Sequence, residues 1–508
     1  MKYTPTIGLE VHAELKTKTK MFCNSKNDPD EKQPNINICP VCMAHPGTLP
    51  VINKEAVRHV LRVGVALGGT LSDFTEFDRK NYFYPDLPKG YQISQYKYPL
   101  VSGGELNGVS ITRVHLEEDT GRSSHETGGE SLVDFNRAGV PLMELVTEPV
   151  IKTAKEAGNF ARELQLLLRY LGASEANMEK GEMRVEANVS VSETFASADQ
   201  CRTDADSRGN ILRNSALSPR HSATLGTKVE VKNINSFKAV EKAIEYEIKR
   251  QSELLARGEK VVQETRGWDE NKGKTFSQRL KEESHDYRYF PEPDLPKLHL
   301  RELPEFHEDV LRKELPELPR EKRERYKKEF GIKDKDIELY ISDMRLDRLF
   351  TETIHFFKDD SNIAKHSNIV AEFIQLASNY IVSDLVGLAK STGQNFNKIQ
   401  PEYLSLLIKM IAGGEISSRG AKDILAIMLS EGGSPDEIAK KEGLAQISGK
   451  EELKEIVEKI IVGNPGVVAD FKSGKEQALQ FLIGQGMKET KGAANPKTLE
   501  KLFKEHIT

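Results

Sequence analysis

Carboxylates and one imidazole recur at alternate positions of strand-like segments. Ile7, Leu9, Val11, Ala13 and Leu15 alternate with Gly8, Glu10, His12 and Glu14. That period of two predicts a half-buried strand with Glu10, His12 and Glu14 on one face. Met183, Val185, Ala187, Val189 and Val191 alternate in the same way with Glu182, Arg184, Glu186, Asn188 and Ser190. Val229 and Val231 alternate with Lys228, Glu230 and Lys232. An acidic run, Leu116-Glu117-Glu118-Asp119, ends a further strand-like segment that starts at Val109. Carboxylates joined by an imidazole suit a hard divalent cation, and Mg2+ is the usual choice when phosphates are substrates. Solvated acids on strand faces are the alternative, and spacing alone leaves both open.

A second stretch interleaves cations with aromatics: Asp78-Arg79-Lys80-Asn81-Tyr82-Phe83-Tyr84, then Lys89-Gly90-Tyr91-Gln92-Ile93-Ser94-Gln95-Tyr96. Lysine and arginine hold phosphates, and tyrosines stack on bases or sugars. An aromatic-rich core loop would have the same composition. Cys39-Pro40-Val41-Cys42, with Cys23 upstream, is a zinc-knuckle pattern one ligand short of a closed site; His45 is a further candidate, and buried unmetallated thiols are the alternative. Gly267-Trp268-Asp269-Glu270-Asn271-Lys272-Gly273-Lys274-Thr275 resembles a phosphate loop but has five residues between its glycines where four are needed. A turn between two polar strands fits it better. No serine-nucleophile glycine loop stands out.

These groups need a sizeable scaffold. The chain has 508 residues, 38% hydrophobic and 30% charged, enough for several packed domains. The net charge of −5 excludes a global basic field, so nucleic-acid binding would rest on local patches and shape. No run of about 18 apolar residues is evident, which predicts no membrane span. The first six residues are too short and polar for a signal peptide. Four cysteines, Cys23, Cys39, Cys42 and Cys201, point to a reducing compartment and a cytoplasmic protein.

The strand-rich part is expected to be an α/β (α+β) domain over 1–293, with a helix over 237–257 capped by Asn235 or Ser236. A polar surface insertion is expected over 196–224. Tyr289-Phe290-Pro291-Glu292-Pro293-Asp294-Leu295-Pro296 is a rigid boundary. A charged helical domain is expected over 294–400, and a small helical tail domain over 401–508. In the tail, Leu453, Ile456, Val457, Ile460 and Ile461 have the spacing of one buried stripe. Residues 471–508 hold seven lysines against four acids, a local net of +3.

Several of these segments together resemble one family. They are Ile7-Gly8-Leu9-Glu10-Val11-His12-Ala13-Glu14-Leu15, Asp78 to Tyr84, His115-Leu116-Glu117-Glu118-Asp119 and Asp134-Phe135-Asn136-Arg137-Ala138-Gly139-Val140-Pro141-Leu142. Lys232-Asn233-Ile234-Asn235-Ser236-Phe237 and Asp286-Tyr287-Arg288-Tyr289-Phe290-Pro291-Glu292-Pro293-Asp294 complete the set. In this order, over nearly the whole length, the chain resembles the B-subunit of the aspartyl/glutamyl-tRNA amidotransferases. The resemblance implies a cradle-like catalytic domain with mixed and antiparallel sheets, an all-α domain and a tail of the YqeY type that touches tRNA. It implies a carbon–nitrogen ligase with glutamine as amido donor, using ATP and Mg2+. Its implied partners are an amidase (glutaminase) and a small third chain, together in a heterotrimer, and a misacylated tRNA, with no DNA or membrane partner.

Carried over position by position, Glu10, His12, Glu118 and Glu230 match metal ligands. Glu186 stands where many relatives have Asp. Lys80 matches a lysine of the site, and Lys80, Glu118 and His12 are the expected catalytic groups. Arg79, Lys80 and Tyr82 are the expected ATP contacts. Metal-bearing relatives resemble Cys-x-Cys followed by Cys-x-x-Cys, whereas here Ser25 takes the second position, so zinc at Cys23, Cys39 and Cys42 is expected to be weak or absent. Lys475, Lys488 and Lys491 are expected tRNA contacts, a solvated helical face being the alternative. The rival reading of the whole chain is a non-catalytic tRNA-docking scaffold.

Overall fold

The computed structural model describes residues 3–125, 130–193, 226–280, 287–361, 365–444, 450–490, 494 and 496–507. The expected insertion at 196–224, with Cys201, lies outside the described residues. The chain forms two compact units, Met1–Leu318 and Pro319–Thr508.

The first unit is built on a sheet. Its strands include β1 (Tyr3–Glu14), β2 (Asp78–Asn81), β3 (Tyr91–Ser94), β4 (Val109–Glu118), β5 (Pro141–Thr147), β6 (Met183–Glu193), β7 (Val229–Ile234), β8 (Glu264–Asp269) and β9 (Lys274–Leu280). A ten-stranded sheet runs β9-β8-β7-β6-β1-β5-β4 and continues into short strands. Its pairs are antiparallel except β7 with β8. β2 and β3 form a separate small sheet with Phe290–Pro291. The alternation of β1 works as expected: Ile7, Leu9, Val11 and Ala13 are fully buried in the core. That core also takes the apolar stripes of α1 (Lys54–Ala66), α2 (Ala154–Tyr170) and α3 (Phe237–Ala256).

Each of these three helices starts at a polar cap that satisfies free backbone N–H groups. Asn53 accepts from Glu55 and Ala56, Thr153 forms a reciprocal capping box with Glu156, and Ser236 accepts from Ala239. The 267–275 segment is the hairpin joining β8 to β9, so the glycine pair is a turn and not a phosphate loop. Residues beyond the proline-rich boundary still pack on this unit, because Leu295, Leu300, Phe306 and Leu311 bury into the same core. The compact unit therefore runs on to Leu318, where Pro319 opens the next helix.

The described part of the second unit is built of helices. Tyr326, Phe330, Tyr340 and Phe350 interlock near its start, with Tyr340 stacked on Phe350 at 4.3 Å. Asn368–Thr392 is 25 residues long and, by length and composition, apolar enough to cross a membrane, a run the sequence reading did not anticipate. Its Ile374, Ala377, Ile381 and Leu385 are buried within the unit and Asp384 pairs with Lys422 at 2.7 Å. In Lys450–Gly463, Leu453, Val457 and Ile460 are buried, with Ile456 and Ile461 packed alongside.

Candidate functional site

Strand pairing assembles the site in rungs. His12 on β1 lies opposite Arg184 on β6 and Glu144 on β5, and Glu144 lies opposite His115 on β4. Directly paired residues share a sheet face, so four polar side chains cross four strands in one row. Two residues along, Glu10 lies opposite Glu186. Glu230 on β7 follows, opposite Asn188, whose amide donates to Glu10 at 2.7 Å.

Two groups of ligand atoms result, each within a 4.8 Å span: Glu10, Glu186 and Glu230, and His12, Glu117 and Glu144. Both line one cleft of about 420 Å3, together with Lys80, Tyr82, Arg113, Arg184, Lys228, Lys232, Tyr287 and Tyr289. The cations are placed among the acids. Lys232 is 3.0 Å from Glu186 and 3.5 Å from Glu230. Lys80 is 3.6 Å from Glu117. Burial opposes the charge on Lys80, but Glu117 together with Glu144 and the neighbouring tyrosines outweighs it and holds the ammonium protonated. Burial likewise opposes charge on His115, and Glu144 with Glu117 pushes it up to about 9. His12 is raised for the same reason, with Glu144 3.4 Å away. The histidines in turn hold Glu144 well below the usual carboxylate range against its burial.

A buried Glu117 oxygen has no hydrogen-bond partner. That oxygen lies 3.4 Å from His115 Nε2 without a well-aligned hydrogen bond, and with a histidine and a second carboxylate beside it the set fits a hard divalent cation. The three-carboxylate group fits one as well, with Lys232 as its present counter-charge.

The expected residues are not all gathered here. Glu118 is on the other side of its strand: it accepts from Lys89 at 2.6 Å and from the Ile93 backbone at 2.9 Å, and it lines a separate cavity with Cys23, Cys42 and Lys89. It belongs to neither ligand group. Arg79 is committed to a bidentate pair with the buried Glu292, both bonds 2.7 Å, under the Tyr91 ring, and is not among the residues that line the acid cleft. Tyr82 does face that cleft and its hydroxyl donates to Gln92 at 3.0 Å. The sulfurs of Cys23, Cys39 and Cys42 converge within 4.8 Å, with the Ser25 hydroxyl 3.8 Å from Cys42 and the buried Lys20 ammonium 4.0 Å from it. His45 is exposed and outside that group. Lys475 and Lys488 are exposed at the two ends of Glu476–Glu489, Lys475 paired with Asp470 at 2.8 Å; Lys491 lies outside the described residues.

Glu117, Glu144 and His115 are the residues the sequence reading passed over. Signals for them exist. Glu144 is the one charged residue in the seven of β5, an expensive placement unless it has work to do. On β4 the period of two pairs His115 with Glu117 on one face and leaves Glu118 with Leu116 on the other.

Residues 5–304 match the model of the GatB/GatE catalytic domain, and residues 365–507 match that of the GatB domain. The chain is 42% identical over 518 residues to the aspartyl/glutamyl-tRNA(Asn/Gln) amidotransferase B-subunit of Thermoanaerobacter pseudethanolicus, with 100% of each chain covered. It is 44% identical over 518 residues to that of Caldanaerobacter subterraneus subsp. tengcongensis, again with full coverage. Its counterpart in Persephonella marina is 41% identical over 515 residues, 99% of each. With both units matched and relatives aligned end to end, the chain belongs to the B-subunit family of the aspartyl/glutamyl-tRNA(Asn/Gln) amidotransferases.

Proposed function

We propose that this chain is the ATP-using, tRNA-handling component of a glutamine-dependent amidotransferase, a carbon–nitrogen ligase that converts Glu-tRNA(Gln) or Asp-tRNA(Asn) to the amidated form. The observation that carries this reading is the convergence of two carboxylate groups and Lys80 in one cleft. A docking scaffold has no use for such a gathering, because burying charges costs free energy even where they are paired.

The chemistry explains the arrangement. A side-chain carboxylate is a poor electrophile, so its oxygen first attacks the γ-phosphorus of ATP and ADP leaves. Ammonia then attacks the acyl carbon, and inorganic phosphate departs with the C–O bond electrons. Divalent cations, Mg2+ in this reading, held by Glu10, Glu186 and Glu230 and by His12, Glu117 and Glu144, would supply charge neutralisation at the phosphates. Lys80 offers a fixed positive charge to the phosphoryl oxygens. Arg113, Arg184 and Lys228 add positive charge around the same space. Tyr82 and the neighbouring tyrosines form an aromatic wall to the cleft.

A partner amidase, the glutaminase of the complex, would supply the ammonia, and a small third chain would complete the heterotrimer, with Lys475, Lys488 and Lys491 among the tail's phosphate contacts. The helical tail over 401–508 then contacts the tRNA, and the complex works in the cytoplasm, where aminoacyl-tRNA is made. Three thiols and one serine hydroxyl are a weak donor set for zinc, since serine stays protonated near neutral pH. The test is reconstitution with the two partner chains, ATP, Mg2+ and ammonium chloride, alongside Glu10→Ala and Glu117→Ala. Gln-tRNA or Asn-tRNA from the unmutated complex, lost in both variants, supports the reading; product that persists in both variants refutes the site.

A further inference from the structure

One wall of the cleft is acidic and the other is aromatic. From Glu117 the path leads 3.6 Å to the Lys80 ammonium and 5.4 Å on to the Tyr287 ring. Tyr287 meets Tyr289 edge-on at 5.9 Å, and Tyr289 is stacked on Tyr96 at 4.3 Å with the rings 10° from parallel. Tyr96 is 60% exposed, so this stack ends on an open ring at the cleft mouth. Tyr84, also 60% exposed, meets the Tyr82 ring edge-on at 6.1 Å and continues an aromatic rim from it. Burying these rings in the core would have been the ordinary outcome for such side chains.

The proposed reaction constrains what lies there. The amino acid to be amidated is esterified to the last ribose of the tRNA, so the terminal base must sit within one nucleotide of the acids. Proteins hold unpaired bases by stacking them on aromatic rings. We propose that the Tyr96–Tyr289 stack receives the terminal base of the single-stranded 3′ end of the aminoacyl-tRNA, with Tyr84 along the path of the preceding nucleotides. This rests on the function proposed above. A single adenine from ATP would need only one ring, whereas a strand entering the cleft needs a run of them.

Two measurements test it. The first is binding of uncharged tRNA, intact and lacking its terminal nucleotide, to the full complex carrying native Tyr96, Tyr96→Ala or Tyr96→Phe. Removing the terminal nucleotide should weaken binding to the native complex by about tenfold, as expected for one stacked base. Tyr96→Ala should weaken binding of intact tRNA similarly and then show no further loss with the shortened tRNA, while Tyr96→Phe binds both as the native complex does. The second is amidation kinetics, where Tyr96→Ala should raise KM for aminoacyl-tRNA about tenfold and leave KM for ATP unchanged. Additive losses from Tyr96→Ala and the shortened tRNA, a Tyr96→Phe variant as weak as Tyr96→Ala, or a rise in KM for ATP alone would each overturn the assignment. The binding measurement needs no catalysis, so it can fail or succeed independently of the reaction.

Discussion

Glu117 and Glu118 are neighbours in the chain but serve different cavities. Glu117 faces Lys80 and His115 in the acid cleft, and Glu118 faces Lys89 beside the cysteines. Isosteric amides separate their roles. Glu117→Gln should raise the Mg2+ concentration for half-maximal activity by about tenfold or more, as loss of a metal-site group does. Glu118→Gln should leave that concentration within about twofold and instead lower the melting temperature, because Lys89 loses its buried partner. Equal shifts in the Mg2+ requirement of both variants would show that the two carboxylates share one site.

Lys232 sits among Glu186 and Glu230 as a tethered cation. A metal ion entering this group must compete with that ammonium. Lys232→Ala should therefore bind Mn2+ more tightly at this group, by about tenfold for roughly one close charge pair. Titration calorimetry or proton relaxation would read it. Unchanged or weaker affinity would mean that the lysine does not oppose the ion.

The fork of Arg79 matches the two oxygens of Glu292, a geometry that an ammonium cannot reproduce. Arg79→Lys should cost about 1–3 kcal/mol of stability while KM for ATP stays within about twofold. A large rise in KM for ATP with no loss of stability would instead make Arg79 a nucleotide contact.

Burial, with Asp119 nearby, pushes the Glu14 carboxyl up from 4.5 to about 8. The folded chain thus keeps a proton that the unfolded chain releases between those values. Its stabilising effect is complete below about pH 4.5 and is lost as pH rises through about 8. Glu14→Gln keeps the shape and removes the titration. Relative to the native protein, the variant should gain about 2–4 °C in melting temperature between pH 6 and pH 9. A difference that is constant with pH would show that Glu14 is already ionised.

Local periodicity made much of this legible. β1, β6 and β7 alternate cleanly, so Glu10, Glu186 and Glu230 were each assignable to a polar face, and the three do converge. What periodicity cannot convey is which strands are neighbours, since pairing joins residues far apart in the chain. β5 lies between β1 and β4, and that order alone brings Glu144 to His12 and His115. Resemblance points to Glu118 rather than Glu117, although the alternation along β4 distinguishes them. The proline-rich run at 289–296 looked like a boundary because prolines stiffen linkers, yet Leu295 and Leu300 carry the chain back into the first core.

The row Arg184–His12–Glu144–His115 turns the sheet into a ruler. Adjacent strands are held roughly 4.7–4.9 Å apart by the backbone itself, so the spacing of these groups does not depend on any loop. Connections between the strands can lengthen, shorten or change composition without disturbing the chemistry. A single residue inserted within β1 or β5 would turn His12 or Glu144 onto the opposite face and break the row at once.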